Sequence, residues 1–171
     1  RLMARYGMLI NTKKCVGCYA CRVACQMVNG LESDEAFIKF DEMEQGAYPN
    51  VYAEVVPVQC MHCEDAPCEA VCPTHATYTT DSGVVLVDEE RCIGCKYCYQ
   101  ACPFGVPTYS SAAMDKCDCC TLGGTRPGNA PRCAEACKFG ALHFGTVDEL
   151  LAQCPDAKVV EASTKPSFYL A

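Results

Sequence analysis

The chain has 171 residues, a formal net charge of −7 and a hydrophobic share of 50%. An acidic surface of this kind has no favourable electrostatics toward a phosphate backbone, which excludes nucleic acid as a partner. No apolar run approaches the roughly 18 residues that a membrane-spanning helix needs. This length accommodates one compact unit or two interlocked modules. Cysteine accounts for 18 residues, and discounting it leaves roughly 40% apolar content, modest for a self-sufficient core.

Arg1-Leu2-Met3-Ala4-Arg5 leads directly into a short strand, Tyr6 to Ile10. That leaves no room for a cleavable apolar leader, so export under its own signal is not expected. The first cysteine group follows, Cys15, Cys18, Cys21 and Cys25, with a helical turn at Arg22-Val23-Ala24. Between Asn29 and Pro49 runs a polar, acidic connector containing Glu32-Ser33-Asp34-Glu35 and Asp41-Glu42-Met43-Glu44, which reads first as a solvated face and second as a docking surface. Val51 to Val58 is a second strand, entering the group Cys60, Cys63, Cys68 and Cys72 with its own turn at Glu69-Ala70-Val71. A hairpin comes next, Thr77 to Thr80 and Val84 to Val87 around Asp81-Ser82-Gly83. The third group is Cys92, Cys95, Cys98 and Cys102, followed by Pro103. The fourth, Cys117, Cys120, Cys133 and Cys137, is split by a turn-rich insertion, Thr121 to Arg132, with Gly123-Gly124, Arg126-Pro127-Gly128 and Pro131. Thr146-Val147-Asp148-Glu149 forms a capping box for a helix through Gln153, stopped by Pro155. The tail, Lys165 to Leu170, is apolar at its end and either packs on its own module or extends onto a partner.

Groups one and three share the spacing C-x2-C-x2-C-x3-C, and group three adds the proline that completes the bacterial ferredoxin pattern for a 4Fe-4S cluster. Three cysteines at i, i+3 and i+6 on a tight loop reach three corners of a cubane, so the fourth thiolate must come from elsewhere. In two-cluster ferredoxins the last cysteine of each run serves the other cluster, and the proline after it breaks the turn. Pro73 and Pro103 occupy those places. Groups two and three therefore read as one module, with Cys102 completing Cys60, Cys63 and Cys68, and Cys72 completing Cys92, Cys95 and Cys98. The expectation is four 4Fe-4S clusters, which with their thiolates add roughly −2 each for a total of about −15. A disulfide scaffold has no reason to repeat such triplets. Zinc remains an alternative for group four alone, where a C-x2-C knuckle and a later C-x3-C fit one tetrahedral ion. A three-iron cluster also stays open there. Cys119 and Cys154 are unassigned thiols, with Cys119 placed to substitute for Cys120.

His62, His75 and His143 have no nucleophile or carboxylate pattern beside them, which favours packing near a cluster over catalysis. No nucleotide fingerprint is present, and the insertion glycines do not open a helix after a strand. With four cysteines assigned to each cluster, no iron is open to substrate; the chain is expected to move electrons and not to be an enzyme itself. Lys96 and Lys138 are charges beside ligands. One of them about 7 Å from a cluster, at an effective dielectric of about 20, is worth roughly 2 kcal/mol, less when exposed. Each reads first as a solvated lysine and second, for Lys138, as a group that raises a cluster potential.

The groups in this order, with Cys-Met-His-Cys-Glu-Asp-Ala-Pro-Cys at 60 to 68 and Lys-Cys-Asp-Cys-Cys at 116 to 120, resemble the four-cluster iron-sulfur subunits of the complex iron-sulfur molybdoenzymes. Dimethyl sulfoxide, thiosulfate, polysulfide, tetrathionate and arsenate reductases have such subunits. The likeness covers roughly residues 6 to 145, departing where Lys138 replaces the usual proline and Cys119 adds a thiol. By elimination and by this resemblance, groups one and four form a second module, with Cys137 completing Cys15, Cys18 and Cys21, and Cys25 completing Cys117, Cys120 and Cys133. The implied fold is α+β, two interlocked bacterial-ferredoxin-like dicluster modules. Residues 1–50 and 109–145 form the outer one, 51–108 the inserted one, and 146–171 a C-terminal helix and docking tail. The resemblance also implies a catalytic partner with a molybdenum or tungsten bis-pterin centre, often with a membrane anchor that exchanges electrons with quinol. The location implied is cytoplasmic as synthesised and membrane-associated through a partner, with co-export of the folded complex open. Similar subunits wire hydrogenases, formate-oxidising complexes and carbon monoxide dehydrogenase, the alternative reading. A metal-stabilised interaction module with zinc in group four is the alternative of another class.

Overall fold

The computed structural model describes residues 5–109, 113–121 and 129–171. At its centre lies β1 (Tyr6–Ile10), whose Met8, Leu9 and Ile10 are all buried. It pairs antiparallel with β8 (Leu142–Thr146) and parallel with β10 (Phe168–Leu170), and β10 pairs antiparallel with β9 (Lys158–Val159). The sheet order is β8-β1-β10-β9. Register sets Met8 opposite Phe144 on one side and Phe168 on the other. An unbroken apolar run such as Met8-Leu9-Ile10 suits a strand covered on both faces. Gly7 admits the close approach of the C-terminal segment, because a Cβ there would meet the Ser167 carbonyl oxygen at 2.5 Å. Of the two roles open to the tail, the structure shows packing on its own fold: Phe168 is among the most buried side chains.

The capping box forms as the sequence predicts. Glu149 N–H donates to Thr146 Oγ1 and Thr146 N–H donates to Glu149 Oε2, opening α5 (Val147–Gln153), which buries Leu150 beside β1 and β8. Helices continue the cysteine runs: α1 (Ala20–Asn29), α2 (Pro67–Ala70), α3 (Tyr97–Ala101) and α4 (Arg132–Ala136). Of these, α1 packs on α4 and α2 on α3. The first is longer than the turn expected at Arg22–Ala24, and closes on Gly30 in the left-handed region. The expected hairpin appears as β4 (Thr77–Thr79) paired with β5 (Val85–Val87), and a two-residue pairing joins β6 (Thr108–Tyr109) to β7 (Met114–Asp115). Both strands and helices build the chain, so its class is α+β.

The connector between Asn29 and Pro49 departs from the sequence reading. Its second half is β2 (Lys39–Ala47), which pairs along its whole length with β3 (Asn50–Val58) in a protruding hairpin. The carboxylates are solvated as expected, but Ala36, Phe37 and Ile38 are buried and anchor the arm to the core. Charge along the strand masked its pairing potential, since both faces of the distal arm are exposed and the period-two alternation vanishes there. The insertion glycines at 123–124 and 128 lie outside the described residues.

Candidate iron-sulfur sites

Left-handed backbone winds the cysteine loops. In group one, Gly17 and Tyr19 take φ of 62° and 59°; in group three, Gly94 and Lys96 take 66° and 65°. The same two positions, one on each side of the second cysteine, turn the backbone in both loops. His62 does this in group two, with φ 42°, and Cys119 and Cys120 in group four, with 56° and 55°. Tyr19 and Lys96 are also the residues from which α1 and α3 start.

The sulfurs gather as quartets. Cys15, Cys18, Cys21 and Cys137 line one cavity, walled by Phe40, Pro57 and Phe139. Cys72, Cys92, Cys95 and Cys98 line a second, with Lys96, Tyr109 and Met114. The remaining eight are identified by their mutual electrostatics. Burial, then Cys117 and Cys120, pushes the Cys25 thiol up to about 12. Burial also holds Cys133 well above the usual thiol range, with Cys117, Cys25 and Cys120 adding to it. Cys68 is pushed up to about 12 by burial first, with Cys60, Cys102 and Cys63 around it. Adjacent quartets touch as well: Cys133 feels Cys21, and Cys60 feels Cys117. On α3 and its end, Cys98 faces one quartet and Cys102 another. Cys18 and Cys95 are exposed, whereas Cys25, Cys60, Cys63, Cys117, Cys120 and Cys133 are buried.

This donor set fits iron-sulfur clusters. Four thiols gathered at one site repel one another as anions, so they ionise together only around a cationic metal. Soft all-thiolate sites with apolar walls select iron-sulfur clusters or zinc, not a hard cation. The clusters themselves would supply one-electron redox chemistry.

Hydrogen bonds to sulfur distinguish the quartets. Ala76 N–H donates to Cys72 Sγ and Ala141 N–H to Cys137 Sγ, each at 3.2 Å and each four residues on. The two loops match although one carries Pro73 and the other Lys138. Met114 N–H donates to Cys92 Sγ at 3.3 Å, and the Tyr109 hydroxyl lies 3.1 Å from Cys98 Sγ. Burial and then Cys98 push the Tyr109 pKa up.

Between groups two and four lies a buried polar knot. His62 is 3% exposed, with Nδ1 accepting from the Val85 N–H at 3.1 Å and Nε2 3.1 Å from Cys119 Sγ. Burial alone would lower its pKa, while charge on Cys60 and hydrogen bonding to Cys117 pull it up to about 9. The Val85 N–H opposes that pull, because Nδ1 accepts only when unprotonated. Hydrogen bonding with Cys119 holds Cys117 well below the usual thiol range, against burial, and raises Cys119 well above it. The proton of that pair therefore sits on Cys119. His62, Cys117 and Cys119 offer donor atoms within 4.8 Å of one another, which places the spare thiol beside a histidine. Lys116 is buried too. Lys96 and Lys138, whose charge the sequence brought forward, are both exposed, with Lys96 Nζ 5.3 Å from the Tyr109 ring centre. Sequence reasoning passed over Tyr109 and Lys116; Lys116 directly before Cys117 was the available signal. His75 and His143 join no sulfur cluster among the described residues.

The fold and these sites define an iron-sulfur electron-transfer protein. Family models described as 4Fe-4S dicluster domain match residues 51–147 and 14–76. The longer match includes all of group four, which favours a 4Fe-4S cluster there over zinc, and the two domains with this cysteine complement fit four 4Fe-4S clusters. Similar proteins include the B subunit of the anaerobic dimethyl sulfoxide reductase of Escherichia coli (strain K12), 36% identical over 98% of the present sequence and 86% of its own. Thiosulfate reductase electron transfer subunit PhsB of Salmonella typhi is 40% identical over 86% of the present sequence and 79% of its own. Protein NrfC of Escherichia coli (strain K12) is 38% identical over 96% and 79%. The chain belongs to the family of 4Fe-4S dicluster proteins that includes these subunits.

Proposed function

We propose that this protein is the electron-transfer subunit of a reductase complex, relaying electrons between a molybdenum or tungsten bis-pterin catalytic subunit and a quinol-linked membrane anchor or a soluble donor. The observation that carries the reading is the gathering of sixteen cysteines into adjoining quartets that are buried in the middle and exposed at two ends. The proposed ligands are Cys15, Cys18, Cys21 and Cys137; Cys25, Cys117, Cys120 and Cys133; Cys60, Cys63, Cys68 and Cys102; and Cys72, Cys92, Cys95 and Cys98, in that order along the relay. Packing of α1 on α4 and of α2 on α3 supports two modules, an outer one of residues 1–50 and 109–145 and an inserted one of 51–108.

Val16 and Ile93 support the assignment of the ends. They occupy equivalent loop positions beside Cys15 and Cys92, and both are exposed. Exposed Tyr19 and Phe139 line the first cavity with Val16, and exposed Tyr97 lines the second with Ile93. Apolar collars of this kind dry a contact when a partner docks and shorten the electron's path into the buried pair. Among the described residues no helix is long and apolar enough to cross a membrane, so membrane association is proposed to run through the anchor, with the protein cytoplasmic as synthesised. The dimethyl sulfoxide and thiosulfate reductase names of similar subunits support the choice of catalytic partner.

Native mass spectrometry of the complex purified without oxygen tests this reading. A subunit with bound molybdopterin is the expected companion; a nickel-iron hydrogenase or carbon monoxide dehydrogenase subunit in its place would overturn it. Ligation is tested by Cys102→Ser, which should perturb the cluster of Cys60, Cys63 and Cys68. Damage confined to the cluster of Cys92, Cys95 and Cys98 would refute the crossed assignment.

A further inference from the structure

Lys116 is the one Lys, Arg, Asp or Glu buried among the described residues, at 4% exposure. Its Nζ donates to the carbonyl oxygens of Val85 and, at 3.2 Å, Cys117. Among the described residues no carboxylate oxygen comes within ion-pair reach of Nζ. An ammonium placed this deep is costly unless negative charge faces it. Negative charge comes from the neighbouring Asp115 carboxylate, which feels Lys116, and from sulfur, with Cys60 and Cys68 on one side and Cys117 on the other. Cys60 and Cys68 belong to one inner quartet and Cys117 to the other. The backbone on both sides of the lysine is tied down, since Val85 also donates its N–H to His62 and Lys116 donates its own N–H to Asp115 at 2.8 Å. The charge is therefore held in one place between two sites.

We propose that Lys116 is a fixed buried cation shared by the two inner cluster sites, raising the potentials of both and of neither outer one. The proposal rests on the four-quartet assignment above. Reduction adds one negative charge to a cluster, and a positive charge held nearby in a poorly screened interior favours the reduced form. Lys96 and Lys138 do not compete for this role, because solvent screens exposed charges. By acting on both inner sites together, Lys116 keeps their potentials in step. A shift shared by both inner sites leaves the gap between their potentials unchanged, whereas a charge beside one site alone would alter it.

Redox titration of the whole complex followed by electron paramagnetic resonance tests this, with Cys63→Ser and Cys120→Ser used to assign the inner signals. In Lys116→Gln, which retains a donor for the two carbonyls, both inner midpoint potentials should move negative while both outer ones stay. Lys116→Arg, which keeps the charge, should hold the inner potentials near the wild-type values. If Lys116→Gln fails to load one inner cluster, the other must still move negative. The proposal is overturned if the loaded inner potentials stay put, if all four move together, or if Lys116→Arg moves them as far as Lys116→Gln. Iron analysis of the wild type separates the two levels of the argument: fewer than about sixteen irons per protein refutes the quartets, whereas a full complement with unmoved potentials refutes Lys116 alone.

Discussion

The phenol of Tyr109 is protonated at neutral pH, and its half-buried hydroxyl lies 3.1 Å from Cys98 Sγ, placed to donate to a thiolate there. A hydrogen bond to cluster sulfur strengthens as the cluster gains negative charge, so it favours reduction. Tyr109→Phe should lower the potential of the Cys72, Cys92, Cys95 and Cys98 site by tens of millivolts and leave the other three unmoved in a redox titration. Cys119 and Cys120 separate by position: Cys119 Sγ lies 3.1 Å from His62 Nε2, whereas Cys120 neighbours Cys25, Cys117 and Cys133. Cys119→Ala is therefore expected to keep about sixteen irons, whereas Cys120→Ala should lose a cluster and fall toward about twelve. The cysteines were legible because ligand spacing is local and chemically strict. Lys116 and Tyr109 were not, since their importance comes from burial beside sulfurs far away in sequence. Lys138, plain in the sequence beside Cys137, is exposed, in line with its first reading as a solvated lysine.

Helix α5 illustrates an element set by a local code. The Glu149 carboxylate is held below its ordinary 4.5 by the Thr146 N–H and then by the Thr146 hydroxyl. A depressed carboxylate pKa means that the carboxylate's part of the cap contributes fully above that ordinary value and is lost as pH falls through the folded one. Thr146→Ala should cost about 1 kcal/mol, seen as a lower unfolding temperature that persists in acid, because the lost Glu149 N–H to Thr146 Oγ1 bond does not titrate and the Thr146 N–H to Glu149 bond remains. The β2–β3 arm was harder to read because its distal half buries neither face, leaving no alternation to find. Its root was readable in principle from Phe37-Ile38, whose apolar pair interrupts the acidic run. Arg5 holds three distant segments together, donating to Ser167 Oγ at 2.7 Å, to the His62 carbonyl at 3.0 Å and to Glu64 at 2.9 Å. Arg5→Ala should loosen the group two loop from the tail and lower the unfolding temperature, at a cost of about 2 kcal/mol.

The core of the whole molecule runs through the ligand cysteines: Cys21, Cys25, Cys60, Cys63, Cys117 and Cys133 lie in one cluster with Met8, Ile10, Phe37 and Phe168. A core built on thiols depends on the metal that neutralises them. Removing iron with a chelator under anaerobic reduction should therefore abolish cooperative unfolding and much of the circular dichroism. The α+β class and the family were legible from the four cysteine groups, because each group encodes a complete local loop. The central sheet was less so: β1 is readable as a strand, but its neighbours β8 and β10 lie more than a hundred residues on, and only tertiary pairing brings them together. Iron, acid-labile sulfide and zinc measured per protein on material purified without oxygen test the central claim most directly. Four 4Fe-4S clusters predict about sixteen irons, about sixteen sulfides and no zinc; about twelve irons with one zinc would contradict the reading of Cys25, Cys117, Cys120 and Cys133 as a fourth cluster site.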